Sequence, residues 1–165
     1  MAQSASSDDR SHPRRVVFVC WGNICRSPMA ERVAIGRAAE AGIEGVEFTS
    51  AGVSTEELGN PMDRRARATL GEAGYDADGH TAHQIDAAEI DSADLVVAME
   101  QLHIDRMLAM GPGRTDHLRL LTDFDPDAEP GAGVPDPWYG DDSGFDDTLS
   151  SIESAMPGIL HELGA

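Results

Sequence analysis

Residues 16–28, Val-Val-Phe-Val-Cys-Trp-Gly-Asn-Ile-Cys-Arg-Ser-Pro, constrain this chain more than any other stretch. The β-branched and aromatic run 16–19 reads as a buried strand. Ser27-Pro28 reads as a helix start, with Ser27 as N-cap and Pro28 pre-set at the first helical position. The loop 20–26 joins the two. A loop from strand end to helix start points its backbone N–H groups inward and makes a concave anion site. Gly22 and Asn23 are residue types that tolerate the left-handed or strained dihedrals such a turn needs. A helix N-terminus stabilises a thiolate, so Cys20 is expected to be nucleophilic at neutral pH. Arg26, separated from it by five residues, can grip two phosphate oxygens with its planar fork. The stretch reads as a site for phosphate chemistry.

The remaining chain alternates strand and helix signals. Helices are expected over residues 29–41, 62–73, 86–90, 100–110 and 145–163, the last kinked or split at Pro157. Strands are expected over 46–50, 95–99 and 118–121, with a long loop rich in Pro and Gly over 122–144. This order predicts a single-domain α/β fold: a doubly wound, four-stranded parallel sheet with helices on both faces. Ligands in such folds bind beyond the carboxyl ends of the strands, where the loop 20–26 would lie. Residues 15–165 are the expected domain, and residues 1–14 a disordered lead-in.

The pattern Cys20-x-Gly22-Asn23-Ile24-Cys25-Arg26-Ser27-Pro28 resembles the active-site loop of the low-molecular-weight protein tyrosine phosphatases. The resemblance implies a protein phosphatase with a phosphate cradle of Trp21, Gly22, Asn23, Ile24, Cys25 and Arg26. A second stretch, Asp136-Pro137-Trp138-Tyr139-Gly140, is similar to the family's Asp-Pro-Tyr-Tyr-Gly segment, whose Asp is the general acid. That match puts the proton donor on Asp136, with Trp138 and Tyr139 as aromatic walls for a substrate ring. Family members hold the loop Asn with a Ser after strand two and a His farther on, positions matched here by Ser50 and His80. Ser27 can hydrogen-bond the Cys20 sulfur. The implied mechanism has Cys20 attack phosphorus while Asp136 protonates the leaving oxygen. A cysteinyl-phosphate forms, and Asp136 then activates water for its hydrolysis.

Departures from the family pattern carry information too. Family members often have an aromatic residue in the loop after Ser-Ala-Gly. Residues 53–60 hold none and carry Glu56 and Glu57, so Trp21 is expected to supply the missing wall. Ile24 favours phosphotyrosine over phosphoarginine, since arginine phosphatases of this fold typically carry Thr there. Cys25 is expected to protect Cys20 through a reversible disulfide, making the enzyme redox-sensitive. The enzymatic alternative is an arsenate reductase, which needs further cysteines to pass on a disulfide; none follows residue 25. The alternative of another class is a non-catalytic phosphate-binding regulatory module, disfavoured by intact Cys20, Arg26 and Asp136.

No cofactor or metal is expected. Asp123-x-Asp125-x-Asp127 imitates a calcium loop, but Ala128 and Val134 stand where Gly and Glu are needed. His80 and His83 lack further ligands close by in sequence. The formal net charge of −18, with Arg as every basic residue, disfavours nucleic acid and acidic membrane surfaces as partners. It also obliges the site to build a local positive pocket against the global field. No apolar run approaches the roughly 18 residues of a membrane span, and no signal peptide is evident. Two cysteines, both in the loop, fit a reducing compartment. Cytoplasmic location follows by default, with secretion without a signal peptide as the alternative. The expected partner is a phosphotyrosine-containing protein; a bacterial-type tyrosine kinase or a host protein would suit.

Overall fold

A computed structural model describes residues 13–164. Its elements run β1 (Arg14–Cys20), α1 (Arg26–Ala41), β2 (Val46–Gly52), α2 (Arg64–Glu72), α3 (Ala87–Ser92), β3 (Leu95–Ala98), α4 (Gln101–Ala109), β4 (Leu118–Leu120) and α5 (Ser143–Glu162). Two 3-10 turns, Leu121–Phe124 and Pro137–Tyr139, interrupt the long loop before α5. The strands form one sheet in the order β2-β1-β3-β4, with every pairing parallel. Most of the expected lead-in lies outside the described residues; Arg14, counted with it, opens β1 opposite Val46.

Alternation along β1 divides the core. Val16, Phe18 and Cys20 face one side, packed with Met29 and Val33 of α1, Leu70 of α2 and Ile152, Met156 and Ile159 of α5. Val17 and Val19 face the other, with Ile90 of α3 and Met107 of α4. Strand β1 is buried on both faces, which explains its unbroken apolar run. The chain leaves β1 for α1 on one face and β3 for α4 on the other. The loops after these neighbouring strands therefore diverge, and a crevice opens between them. Among the described residues, no helix is long and apolar enough to cross a membrane.

Three expectations need correction. Ser27 is not the N-cap: α1 starts at Arg26, with Cys25 in the capping position and no side-chain cap bond. The Ser27 hydroxyl is used in the site instead, and Pro28 still falls in the first turn, where its missing N–H costs nothing. Pro157 does not split the last helix, which runs unbroken from Ser143 to Glu162. Pro157 lies on the solvent face, while Gly158 beside it packs so closely on the Phe124 carbonyl that a β-carbon has no room. On the opposite face Ala155, Met156, Ile159 and Leu160 stay buried in the core on both sides of the proline. Leu121, expected in β4, belongs to the following 3-10 turn.

Candidate active site

The loop 20–26 closes because four of its carbonyls are tied down from outside. The Cys20 and Trp21 carbonyls accept from the N–H groups of Val53 and Ser54, each at 3.0 Å. The Asn23 carbonyl accepts from His80 Nε2 at 2.6 Å, and the Ile24 carbonyl from Asp63 N–H at 2.8 Å. In a trans peptide the next N–H points opposite to the carbonyl. The N–H groups of Trp21, Gly22, Ile24 and Cys25 are therefore turned to the middle of the loop. Gly52 permits this closeness: a β-carbon there would lie 2.8 Å from the Trp21 oxygen.

Asn23 is the pin of the loop. It has a positive φ of 62°, a left-handed conformation that Asn adopts more readily than most residues. Its amide donates to Ser27 Oγ at 2.9 Å and to Ser50 Oγ at 3.1 Å, and its oxygen accepts from His83 N–H at 3.0 Å. Ser50 donates onward to Glu31 at 2.7 Å. Ser27 Oγ lies 3.0 Å from Cys20 Sγ and 3.3 Å from the Ala51 carbonyl. Because Ser27 accepts from Asn23, its single proton is left for one of two acceptors, the Ala51 carbonyl or, at the shorter distance, the sulfur. Burial holds His80 below its ordinary titration range, partly offset by its bond to the Asn23 carbonyl. A neutral His80 with its proton on Nε2 serves that bond. Cys25 is a different thiol: burial first, and the Asp63 charge second, push it far up, so it stays protonated.

Arg26 is 2% exposed, and its hydrogen bonds are made by one end. Nη1 donates to Glu100 Oε1 and to the Val134 carbonyl, both at 2.7 Å. Nη2 is 3.6 Å from Asp136 Oδ2, and Nε is buried with no partner. The Nε–Nη2 edge is the one a guanidinium presents to two oxygens of an anion. Behind it, His103 is fully buried and accepts from Glu100 N–H through Nδ1 at 3.1 Å. Burial, with Arg26 adding to it, pushes His103 down to about 4.

Asp136 opens the 3-10 turn Pro137–Tyr139, where its Oδ1 accepts from Trp138 N–H at 3.0 Å. One cleft is lined by Cys20, Trp21, Gly22, Ile24, Cys25, Arg26, Asp136, Trp138 and Tyr139, together with Glu56 and Glu57. The structure thus gathers the expected site residues, with one qualification of role. Asn23, Ser27, Ser50 and His80 lie behind the cleft and brace it. Trp21 both lines the cleft and packs on the α3–α4 side of the core, with the Arg106 guanidinium 4.8 Å above its ring. Among the described residues, no cluster of three or more His, Cys, Asp or Glu could hold a metal ion.

Sequence reasoning missed Glu100, the Val134 carbonyl and the His83 N–H. Glu100 lies two residues past the end of β3, at the strand ends where the crevice opens, and that placement was the available signal.

The family model described as "Low molecular weight phosphotyrosine protein phosphatase" matches residues 15–165. A low molecular weight protein-tyrosine-phosphatase of Streptomyces coelicolor is 41% identical over 150 residues, covering 88% of this chain and 91% of its own. The low molecular weight protein-tyrosine phosphatase A of Mycobacterium tuberculosis is 40% identical over 151 residues, covering 90% and 91%. Among solved structures, YfkJ from Bacillus subtilis superposes with a TM-score of 0.86 at 32% identity, covering 93% of this chain and 96% of that one. A protein tyrosine phosphatase from Entamoeba histolytica, with Hepes in its active site, gives a TM-score of 0.85 at 28% identity, covering 91% and 96%.

Proposed function

The chain belongs to the low molecular weight phosphotyrosine protein phosphatase family, and on that premise we propose that Cys20, Arg26 and Asp136 carry its chemistry. The Cys20 thiolate attacks the phosphorus of phosphotyrosine in line with the ester oxygen. Asp136, in its acid form, gives that oxygen a proton, so tyrosine leaves as a neutral phenol. The resulting cysteinyl-phosphate is hydrolysed when Asp136, now a carboxylate, takes a proton from the attacking water. The inward N–H groups of the loop and the Nε–Nη2 edge of Arg26 hold the equatorial oxygens in both steps. Ser27, by donating to the Cys20 sulfur, steadies the thiolate before attack and on departure.

The observation that carries this reading is convergence: a nucleophile, four inward amides, a half-free arginine and a carboxylate share one cleft. Its aromatic lining of Trp21, Trp138 and Tyr139 suits an aryl phosphate. A phosphotyrosine-bearing protein is the substrate class, and a bacterial-type tyrosine kinase or a host protein would present such a group. Two free, buried cysteines suit a reducing compartment such as the cytoplasm.

The direct test is release of phosphate from para-nitrophenyl phosphate by the parent, Cys20→Ser and Asp136→Asn proteins. The first variant should be inactive. The second should lose about a hundredfold or more, the usual worth of a general acid. An inactive parent would make the chain a binding module, and an Asp136→Asn protein of full activity would move the acid elsewhere.

A further inference from the structure

Arg65 does not line the cleft, yet its contacts lead to both halves of the machinery. It lies in the first turn of α2, and its guanidinium sits between two aromatic rings, 5.1 Å from the Trp138 centroid and 4.7 Å from that of Phe145. Asp63 fixes it from the other direction, with Nε and Nη2 each 3.1 Å from a carboxylate oxygen. The N–H of Asp63 donates to the Ile24 carbonyl, the same peptide that turns the Cys25 N–H into the cradle. Trp138 in turn donates its N–H to the Asp136 carboxylate. A continuous set of contacts therefore runs from the phosphate cradle through Asp63, Arg65 and Trp138 to the acid.

The turn that carries Asp136 needs such a tie. Upstream, Val134 is fastened by its N–H to the Met99 carbonyl at 2.8 Å and by its carbonyl to Arg26. Downstream, Phe145 is fully buried in α5. Between these two anchors Pro137 is buried, but Trp138 is 44% and Tyr139 86% exposed, so the outer half of the turn has little core to rest on. A guanidinium stacked on the Trp138 ring supplies an attachment for that exposed half, on the residue whose N–H bonds the acid.

We propose that Arg65 is a positioning residue that holds the Asp136 turn in register with the phosphate cradle, serving proton donation and not phosphate binding. This rests on Asp136 being the proton donor.

The test uses the dependence on leaving group. Phenolate from phenyl phosphate is a strong base, its conjugate acid titrating near about 10 like tyrosine, and it needs a proton to leave. A strongly electron-poor phenol leaves as its anion and needs little help. Removing a stacked cation worth a few-fold on each ring should cost Arg65→Met about tenfold in kcat/KM on phenyl phosphate. The loss on the electron-poor ester should stay within about twofold. Inhibition by inorganic phosphate should be unchanged. Arg65→Lys, which keeps the charge but not the planar stack, should recover part of the loss. In an Asp136→Asn background, Arg65→Met should have no further effect, because both act through one proton.

Equal losses on both esters, or a full additional loss in the Asp136→Asn background, would overturn the proposal while leaving Asp136 as the acid. An Asp136→Asn protein that is itself insensitive to leaving group would overturn both. If circular dichroism shows Arg65→Met unfolded, Arg65→Lys decides through the same cycle.

Discussion

Asn23 holds three elements with one side chain, and its replacement separates conformational from chemical roles. In Asn23→Ala the part-buried His83 N–H loses its acceptor, a loss of about 1–3 kcal/mol. Ser27 and Ser50 lose a donor but keep the Cys20 sulfur and Glu31 as partners, so their share is small. Holding alanine at a left-handed φ adds about 1 kcal/mol. The expected total is about 3 kcal/mol, read from urea unfolding at neutral pH. Asn23→Gly removes the same bonds without the backbone strain and should recover about 1 kcal/mol of that. Asn23→Asp keeps the acceptor for His83 N–H but turns the two donors into acceptors. The Ser27 proton would then go to the new carboxylate and not to the sulfur, so activity should fall much further than stability. Alkylation of Cys20 by iodoacetate across pH reads the thiolate directly and should require a higher pH in Asn23→Asp. Two results would refute the reasoning: Asn23→Gly as unstable as Asn23→Ala, or an Asn23→Asp protein with parental activity and alkylation.

His103, in contact with Glu100 and under the influence of Arg26 and Asp136, must be neutral to accept from Glu100 N–H. Its folded value of about 4 lies below the ordinary 6.5, so the unfolded chain takes up the proton first. Its contribution is therefore complete above about 6.5 and lost as pH falls towards 4, by up to about 3 kcal/mol. His103→Gln, which can accept the same bond without titrating, should flatten that part of the urea-midpoint profile; a parallel profile would count against it. Trp21→Ala should raise KM for aryl phosphates much more than for small alkyl phosphates, whereas equal effects would remove Trp21 as a wall. Peroxide should inactivate the parent reversibly, with dithiol restoring it, and Cys25→Ser irreversibly; equal recovery of the two would dismiss a protective Cys20–Cys25 disulfide.

What could be read from the chain was what is local in it. The strand, loop and helix of residues 14–41 are contiguous, and their apolar run, turn residues and proline act within a few positions of one another. The alternation of elements likewise carried the parallel sheet, because a right-handed crossover leaves few other arrangements. Ser27 shows where a local rule loses: a serine before proline is a good cap in isolation, but the site takes its hydroxyl for sulfur and Asn23. Pro157 shows the same for breaking, since the helix stays whole with its apolar face buried on both sides of the proline. The hold of Glu100 on Arg26 spans 74 positions and exists only because β3 pairs with β1. Read alone, a glutamate after an apolar strand is an ordinary helix-start charge. Apart from the His80 side chain, the ties on the cradle's carbonyls come from backbone N–H groups and leave no trace in residue type.

A chain of net charge −18 that receives a phosphate dianion sets two ranges of electrostatics against each other. At physiological salt the field of the distant carboxylates is screened over about 8 Å, so it weighs on approach and little on holding. Holding is decided at contact, and there the arrangement around Arg26 is specific. Glu100 sits on Nη1, away from the Nε–Nη2 edge, so it fixes the guanidinium without occupying the pair of donors that the anion needs, while Asp136 stands 3.6 Å from Nη2. Were Glu100 to bind through Nε and Nη2, the same ion pair would compete with substrate. The four inward amides carry no formal charge to be neutralised by neighbours, and their direction is set by carbonyls bonded on the outside of the loop. An acidic surface and an anion-binding site are compatible because the site's attraction comes from fixed dipoles and one oriented arginine edge, not from a basic patch.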